Sequence, residues 1–325
     1  MKKLRNWMWL SDRKTKVSQK FAGSRRRWIS RFEDLENRAM LAANTFEPAT
    51  SQSVGSQPYM VITGDFNGDG YDDIATPNIT SGDISVRFNN GDGTIGTGTD
   101  YPVTGRPQWL ATADFDSDGH LDIATANFDT AGLSVFLNDG AGGFGPELNY
   151  PTAQSLYPIE AVDFNSDGHP DLVATGYGSQ SAVYVAINNG DGTFQTPDSY
   201  AVAGYPNWFV VGDFDQDGSV DVAVADYLDS VHVLLNNGDG TLTPTVSYPV
   251  GQAPYPIVSA DLNNDGWPDL ATSNLSADNV SVLLNMGDGS FSNAVNYPAG
   301  DGDNWIAEGD VNGDGFVDLI TADLN

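Results

Sequence analysis

The sequence predicts an all-β protein, a β-propeller of four-stranded blades, on three observations. One acidic loop recurs six times, its first Asp residues 49, 49, 50, 48 and 49 residues apart. Each interval carries four short segments rich in apolar or β-branched residues and bounded by Gly, Asn, Asp or Pro. A second, glycine-bearing turn recurs at a fixed place between acidic loops. Four short strands per ~45 residues match one propeller blade, whereas flat β-solenoids repeat every ~20–30 residues.

The strands of a unit are named a to d from the axis outward. In the second unit they are expected at Trp109–Asp114, Leu121–Ala126, Leu133–Leu137 and Gly143–Tyr150. The acidic loop joins a to b, reading D-F-N-G-D-G-Y-D-D from Asp65 and D-F-D-S-D-G-H-L-D from Asp114. The c–d turn reads N-N-G-D-G-T-I from Asn89 and N-D-G-A-G-G-F from Asn138, with Asn-Gly and Asp-Gly supplying the positive φ of a tight hairpin. From the residue closing that turn to the next acidic loop is always 19 residues, as in Phe144 to Asp163. From the first loop Asp to the first turn Asn is 24, 24, 25, 23 and 24 residues, so length variation falls in the b–c loop. Alternating strand directions then put the a–b and c–d loops on one invariant face. The b–c and d–a loops form the opposite, variable face, where recognition usually sits.

The same count places a lone d strand at residues 46–57 and only a and b segments in the sixth unit. The expected set is five full repeats plus a split, incomplete sixth. Either six blades close with a defect, or the chain is a fragment of a longer propeller; the second reading is favoured.

Loop positions 1, 3, 5 and 9 carry oxygen side chains and position 6 is Gly, which suits a hard cation such as Ca²⁺. The nominated ligands are Asp65, Asn67, Asp69 and Asp73; Asp114, Asp116, Asp118 and Asp122; and Asp163, Asn165, Asp167 and Asp171. The later loops nominate Asp213, Asp215, Asp217 and Asp221; Asp261, Asn263, Asp265 and Asp269; and Asp310, Asn312, Asp314 and Asp318, for up to six sites. Position 7 would add a main-chain carbonyl, from Tyr71, His120, His169, Ser219, Trp267 and Phe316. An EF-hand is excluded, because position 12 holds Thr76, Thr125, Ala174, Val224, Thr272 and Thr321 instead of Glu.

Composition agrees. The net charge of −30 divides into a basic segment, residues 1–45, with 12 of the 14 Lys and Arg, and a remainder, 46–325, with 40 acidic residues against Arg87 and Arg106. Such a surface repels phosphate backbones, which argues against nucleic-acid binding, and its carboxylates call for divalent counter-ions. There is no Cys, so disulfides, thiolate metal sites and thiol nucleophiles are excluded. No apolar run approaches ~18 residues, so no transmembrane helix is expected. Residues 1–45 are read as a basic leader or export segment, disordered, without the apolar core of an ordinary signal peptide.

Residues 46–325 resemble FG-GAP/VCBS repeats, similar to the calcium-loop blades of integrin α-subunit propellers; Phe144-Gly145-Pro146 is the nearest remnant of the eponymous string. The resemblance implies a β-propeller, usually seven-bladed, with Ca²⁺ in the a–b hairpins and a role in extracellular adhesion or binding. Residues 31–43, R-F-E-D-L-E-N-R-A-M-L-A-A, resemble a short leader of planctomycete-type surface and secreted proteins, and Ser24-Arg25-Arg26-Arg27-Trp28-Ile29 resembles a twin-arginine signal.

Five residues before each acidic loop sit Met60, Trp109, Pro158, Trp208, Pro256 and Trp305, with Tyr157, Tyr205 and Tyr255 beside them. Trp109, Trp208, Trp305 and the three tyrosines form either a ligand ring on the variable face or core wedges between blades. A catalytic centre should break the repeat with a unique polar cluster. His120 and His169 are loop residues, His232 lies in strand c, and only Glu160 and Glu308 are unusual carboxylates near the axial strands. The expected function is therefore non-enzymatic: a secreted or surface calcium-binding module for a protein or glycan ligand. A carbohydrate-active propeller or its accessory domain is the alternative, and a structural spacer the third reading.

Overall fold

The b and c strands are buried on both faces between neighbouring sheets, whereas the d strands lie at the exposed outer edge. A computed structural model describes residues 51–129, 132–178, 181–300 and 302–323. The basic leader and its two signal-like motifs lie outside the described residues, as do residues 46–50. The repeats fall within the unit Gln52–Asn325.

Blade 1 is β1 (Ile62–Gly64), β2 (Asp73–Asn78), β3 (Asp83–Asn89) and β4 (Ile95–Pro102). Blade 2 is β5 (Pro107–Ala113), β6 (Asp122–Asn127), β7 (Gly132–Phe136) and β8 (Leu148–Pro151). Blade 3 is β9 (Ser155–Val162), β10 (Asp171–Tyr177), β11 (Ala182–Ala186) and β12 (Asp198–Ala201). Blade 4 is β13 (Pro206–Gly212), β14 (Asp221–Asp226), β15 (Ser230–Leu234) and β16 (Val246–Pro249). Blade 5 is β17 (Pro254–Ala260), β18 (Asp269–Asn274), β19 (Asn279–Leu283) and β20 (Val295–Pro298), and a two-stranded sheet follows, β21 (Asp303–Gly309) with β22 (Asp318–Asp323). Every pairing is antiparallel between consecutive strands, and no helix occurs among the described residues.

Five hydrophobic clusters fill the gaps between successive blades. Leu172, Ala174 and Tyr184 of blade 3 face Ala124, Leu133 and Val135 of blade 2. The intervening residues Val173, Val183 and Val185 face Phe209, Val222 and Leu234 of blade 4. Side chains alternate across a strand, so a b or c strand caged on both sides is mostly apolar or small, and its larger polar residues, such as Arg87 and His232, are hydrogen-bonded. The Phe at loop position 2 anchors the first four acidic loops in this core: Phe66, Phe115, Phe164 and Phe214 are essentially inaccessible, while the last two loops have Leu262 and Val311 there. Phe66, Phe115 and Phe214 meet the c–d turn aromatics Phe144, Phe194 and Phe291 of the next blade edge-on, at 5.9, 5.4 and 5.7 Å.

Two expectations are corrected. Residues 51–57 form no strand; only Pro58 makes a bridge, to Asn78. A d strand needs a c strand of its own sheet to hydrogen-bond with, and this segment instead gives its Ser53 carbonyl to Arg87 Nε and takes Ser85 Oγ at the Gly55 N–H. Strand d of the second unit begins at Leu148, not Gly143. After the bridge Asn138↔Phe144 the ladder lapses, as it does in blades 3 to 5; Pro146, Pro197 and Pro244 stand in the gaps of blades 2 to 4, while blade 5 has the same gap with Ser292, Asn293 and Ala294. Blade 1 has no proline there and β4 runs unbroken from Ile95.

Candidate metal loops and the aromatic face

The acidic loops are held by their own backbones. In all six, the first Asp accepts the N–H of the position-6 glycine through Oδ2, at 2.8–3.1 Å. That glycine has φ between 86° and 95° and open space around it, so it is required by conformation alone. The position-5 Asp accepts the N–H of position 7, as in Asp118 with His120 at 2.9 Å. Position-7 side chains then lie over the c–d turn of the same blade: the His120 ring covers Gly140, whose φ is 75°.

The position-9 Asp is a buried brace. Asp73, Asp122, Asp171, Asp221 and Asp269 are 0% exposed. Each accepts two main-chain N–H groups, one from loop position 2 and one from the c–d turn Asn. The turn Asn in turn donates Nδ2 to the loop of the preceding blade: Asn138 to Phe66 O at 2.9 Å, Asn188 to Phe115 O at 2.8 Å and Asn285 to Phe214 O at 2.8 Å. Burial, opposed by those N–H groups and reinforced by nearby carboxylates, pushes Asp122, Asp171 and Asp221 up to about 6.

Two loops gather carboxylates tightly enough to hold a metal ion. Asp114, Asp116 and Asp118 each bring one oxygen within 4.8 Å of the others, as do Asp213, Asp215 and Asp221. In the second set Asp213 Oδ1 is buried with no hydrogen-bond partner, whereas the equivalent oxygen of Asp114 accepts the Asp118 N–H. A buried orphan oxygen among carboxylates fits a hard cation. In the other loops position 3 is Asn, and Asn67, Asn165 and Asn263 donate Nδ2 to the position-5 Asp at 2.8–3.1 Å. Asn312 donates to Asp318 instead, at 2.9 Å.

On the opposite face the nominated aromatics meet. Trp109 and Trp208, from blades 2 and 4, are 4.9 Å apart edge to face, reaching past blade 3. Trp208 also touches Trp305 at 5.3 Å and Tyr255 at 5.6 Å, and Trp109 touches Tyr157 at 5.7 Å. Tyr59, absent from the sequence reading, joins them at 6.2 Å from Trp109, with its hydroxyl 2.8 Å from that of Tyr157. Trp109 and Trp208 also pack on interblade cores, so ring and wedge coexist in the same side chains. Tyr205 stands apart, tilted against Tyr177 at 6.4 Å, which in turn lies 6.2 Å from Phe128. Arg106 is not a free cation, since it sits 3.2 Å from Asp129 and over the Phe128 ring.

The signal for Tyr59 was present in the sequence. Odd blades place Tyr59, Tyr157 and Tyr255 six residues before the acidic loop, and even blades place Trp109, Trp208 and Trp305 five before. The residues five before the loop in the odd blades are Met60, Pro158 and Pro256, so the aromatic pattern has a period of two blades.

One cluster breaks the repeat. His232 on β15 holds Asp226 Oδ2 with Nε2 and Ser247 Oγ with Nδ1, both at 2.8 Å. Blades 1 and 5 have Asn78–Ser85–Asp100 and Asn274–Ser281–Asn296 at the same places. His232 is 1% exposed with both nitrogens engaged, so the trio is a variant of a cross-strand polar ladder. Despite its burial, Asp226 is held below the usual carboxylate range by His232 and the Leu228 and Asp229 N–H groups. Glu160 lies on β9 and Glu308 on β21, three blades apart; both side chains are accessible, yet the protein packed around Glu160 partly desolvates its carboxyl and raises it above the ordinary value.

Acidic hairpins repeated at one corner of successive four-stranded sheets define a propeller-like repeat protein. The FG-GAP-like repeat model matches residues 65–125, 114–174, 163–224, 213–272 and 261–321, and the chain belongs to that family. No curated protein sequence matches the chain. Among solved structures, BBS1N in complex with ARL6DN is similar at 14% identity and TM-score 0.55, over 82% of this chain and 75% of that one. A functionally unknown protein from Desulfotomaculum acetoxidans DSM 771 is similar at 12% identity and TM-score 0.55, over 78% and 73%. These likenesses concern the fold.

Proposed function

We propose that residues 46–325 form a calcium-stabilised, non-catalytic binding module, exported or displayed at the cell surface, that engages a protein or glycan ligand through its b–c and d–a face. One observation carries this reading: Tyr59, Tyr177, Tyr205 and Tyr227 are each 46–47% exposed on that face, opposite the acidic loops. Exposed aromatic surface of this kind is a feature of interaction sites. Calcium fits the acidic loops by donor chemistry, and extracellular modules bind it at ~10⁻⁴–10⁻³ M, which matches an exported protein. The basic leader is consistent with export. The likeness to a propeller-like chain solved with a protein bound adds weight to a partner-binding role. The cluster that breaks the repeat, Asp226–His232–Ser247, supports a non-catalytic reading, because it replaces a structural ladder.

The test is binding of the full chain to a glycan array and to surface extracts, in calcium and in chelator. Calcium-dependent retention is expected. A chain that binds nothing in either condition, and melts identically in both, sinks the reading.

A further inference from the structure

Building on the binding-module reading, we propose that the variable face holds a site for a neutral oligosaccharide, in an open cleft of about 380 Å³ beside the aromatic cluster. That size lies within the usual range for ligand pockets, ~300–1,000 Å³. Phe128 and Tyr177, in tilted ring contact, line it together with Tyr59, Tyr157 and Tyr255. The last three carry a row of phenol oxygens, Tyr59 to Tyr157 at 2.8 Å and Tyr157 to Tyr255 at 3.5 Å. Each hydroxyl can donate or accept, as a sugar hydroxyl requires.

The remaining lining residues are two carboxamides, Gln108 and Asn207. They hold equivalent places in blades 2 and 4, six residues before Asp114 and Asp213, where the odd blades place tyrosine. Neither side-chain amide has a hydrogen-bond partner among the described residues, so both are available to a ligand. Aromatic faces meet the C–H faces of a pyranose, and amides and phenols pair with its hydroxyls. Phe128, Tyr177 and Tyr205 continue outward as a tilted row, at 32° and 42° between successive planes, a track for further sugar units.

Charge selects against other ligands. No lining residue is ionisable at neutral pH, in a chain of net charge −30. An anionic glycan meets no free cation, because Arg106 is paired with Asp129. A quaternary ammonium would find aromatic faces but no carboxylate in the lining to neutralise it.

The experiment is calorimetric titration of the full chain, in calcium, with cello-, manno-, xylo- and chito-hexaose, with an oligogalacturonate and with tetramethylammonium. At least one neutral hexaose is expected to bind and to change tryptophan fluorescence, through Trp109 and Trp208, which touch Tyr157 and Tyr255. Tyr177→Ala and Asn207→Ala should each weaken binding about tenfold or more, with unchanged melting temperature. If Tyr177→Ala loses the fold, Asn207→Ala keeps the test, since its amide has no partner to forfeit. Binding of oligogalacturonate or tetramethylammonium without a neutral hexaose overturns the proposal. A neutral hexaose that binds both variants as tightly as the parent also overturns it, while leaving the binding-module reading intact. Retention of a surface extract with no affinity for any hexaose does the same.

Discussion

Asp221 Oδ1 accepts the main-chain N–H of Asn236 at 2.8 Å, and Asn236 Nδ2 donates to Phe164 O of the preceding blade at 2.6 Å. A residue of the acidic loop therefore holds the turn that clasps the preceding sheet. Loop chemistry and blade-to-blade adhesion are one hydrogen-bonded system.

Breaking that link should destabilise the whole chain. Asp221→Ala leaves the Phe214 and Asn236 N–H groups unpaired in a site with 0% exposure. Each buried orphan costs ~1–3 kcal/mol. Denaturant unfolding should show a loss of about 3 kcal/mol for Asp221→Ala and about 1–2 kcal/mol for Asn236→Ala. An unchanged midpoint for both would show that the clasp does not hold the blades.

Chelation should lower stability, and pH should act with opposite sign in the two states. Without metal, Asp122, Asp171 and Asp221 sit at about 6, above the unfolded carboxylate, so the native state holds the extra protons. Their contribution is present at pH ~4 and lost as pH rises through ~6. With calcium the carboxylates are held ionised, and protons compete with the metal. Thermal melts in chelator should fall between pH ~4.5 and ~7, and melts in calcium should rise over the same interval. Asp213→Ala should reduce the calcium-dependent part by about 1–3 kcal/mol, the scale of one site at saturating ligand.

The His232 trio should behave as a structural ladder. His232→Ala strips Asp226 Oδ2 and Ser247 Oγ of their shared partner and opens a cavity, for a loss of about 2–4 kcal/mol. Replacing the set with that of blade 5, as Asp226→Asn, His232→Ser and Ser247→Asn together, should recover part of it. Asp226 is depressed, so its contribution is present above pH ~4 and lost as pH falls through its folded value. A fluorophosphonate probe should leave Ser247 unlabelled; stoichiometric labelling would sink the ladder reading.

Trp208 and Trp305 should separate by depth. Trp208 touches Trp109, Tyr255 and Trp305 and also packs on the blade 4–5 core, so Trp208→Ala should cost about 3–5 kcal/mol. Trp305 is 45% exposed, and Trp305→Ala should cost about 1 kcal/mol or less. Equal losses would mean that both rings are core.

The repeat period, the two recurring turns and the places of the a, b and c strands were legible because they are local: Gly at loop position 6, the glycine of the c–d turn and apolar runs between them act over a few residues; the start of strand d was not, because it depends on pairing across the sheet. The faces were legible too, since alternating strand direction assigns them. The b–c connection of blade 4, 227–229, is one residue shorter than those of blades 1 and 5, 79–82 and 275–278, as expected, but the extra residue of the third unit lies within β10 instead of its loop. Tertiary structure alone decided that Asp221 braces a turn as well as lining a cation site, because Asn236 arrives from another hairpin. It alone brought Trp109 to Trp208 past an intervening blade, and separated Tyr205 from Tyr157 and Tyr255. It alone joined Asp226, His232 and Ser247, which meet only once strand register sets His232 opposite Ser247. Short-range patterns specify each sheet, but contacts between sheets depend on how blades curve past one another, and no spacing along the chain encodes that distance.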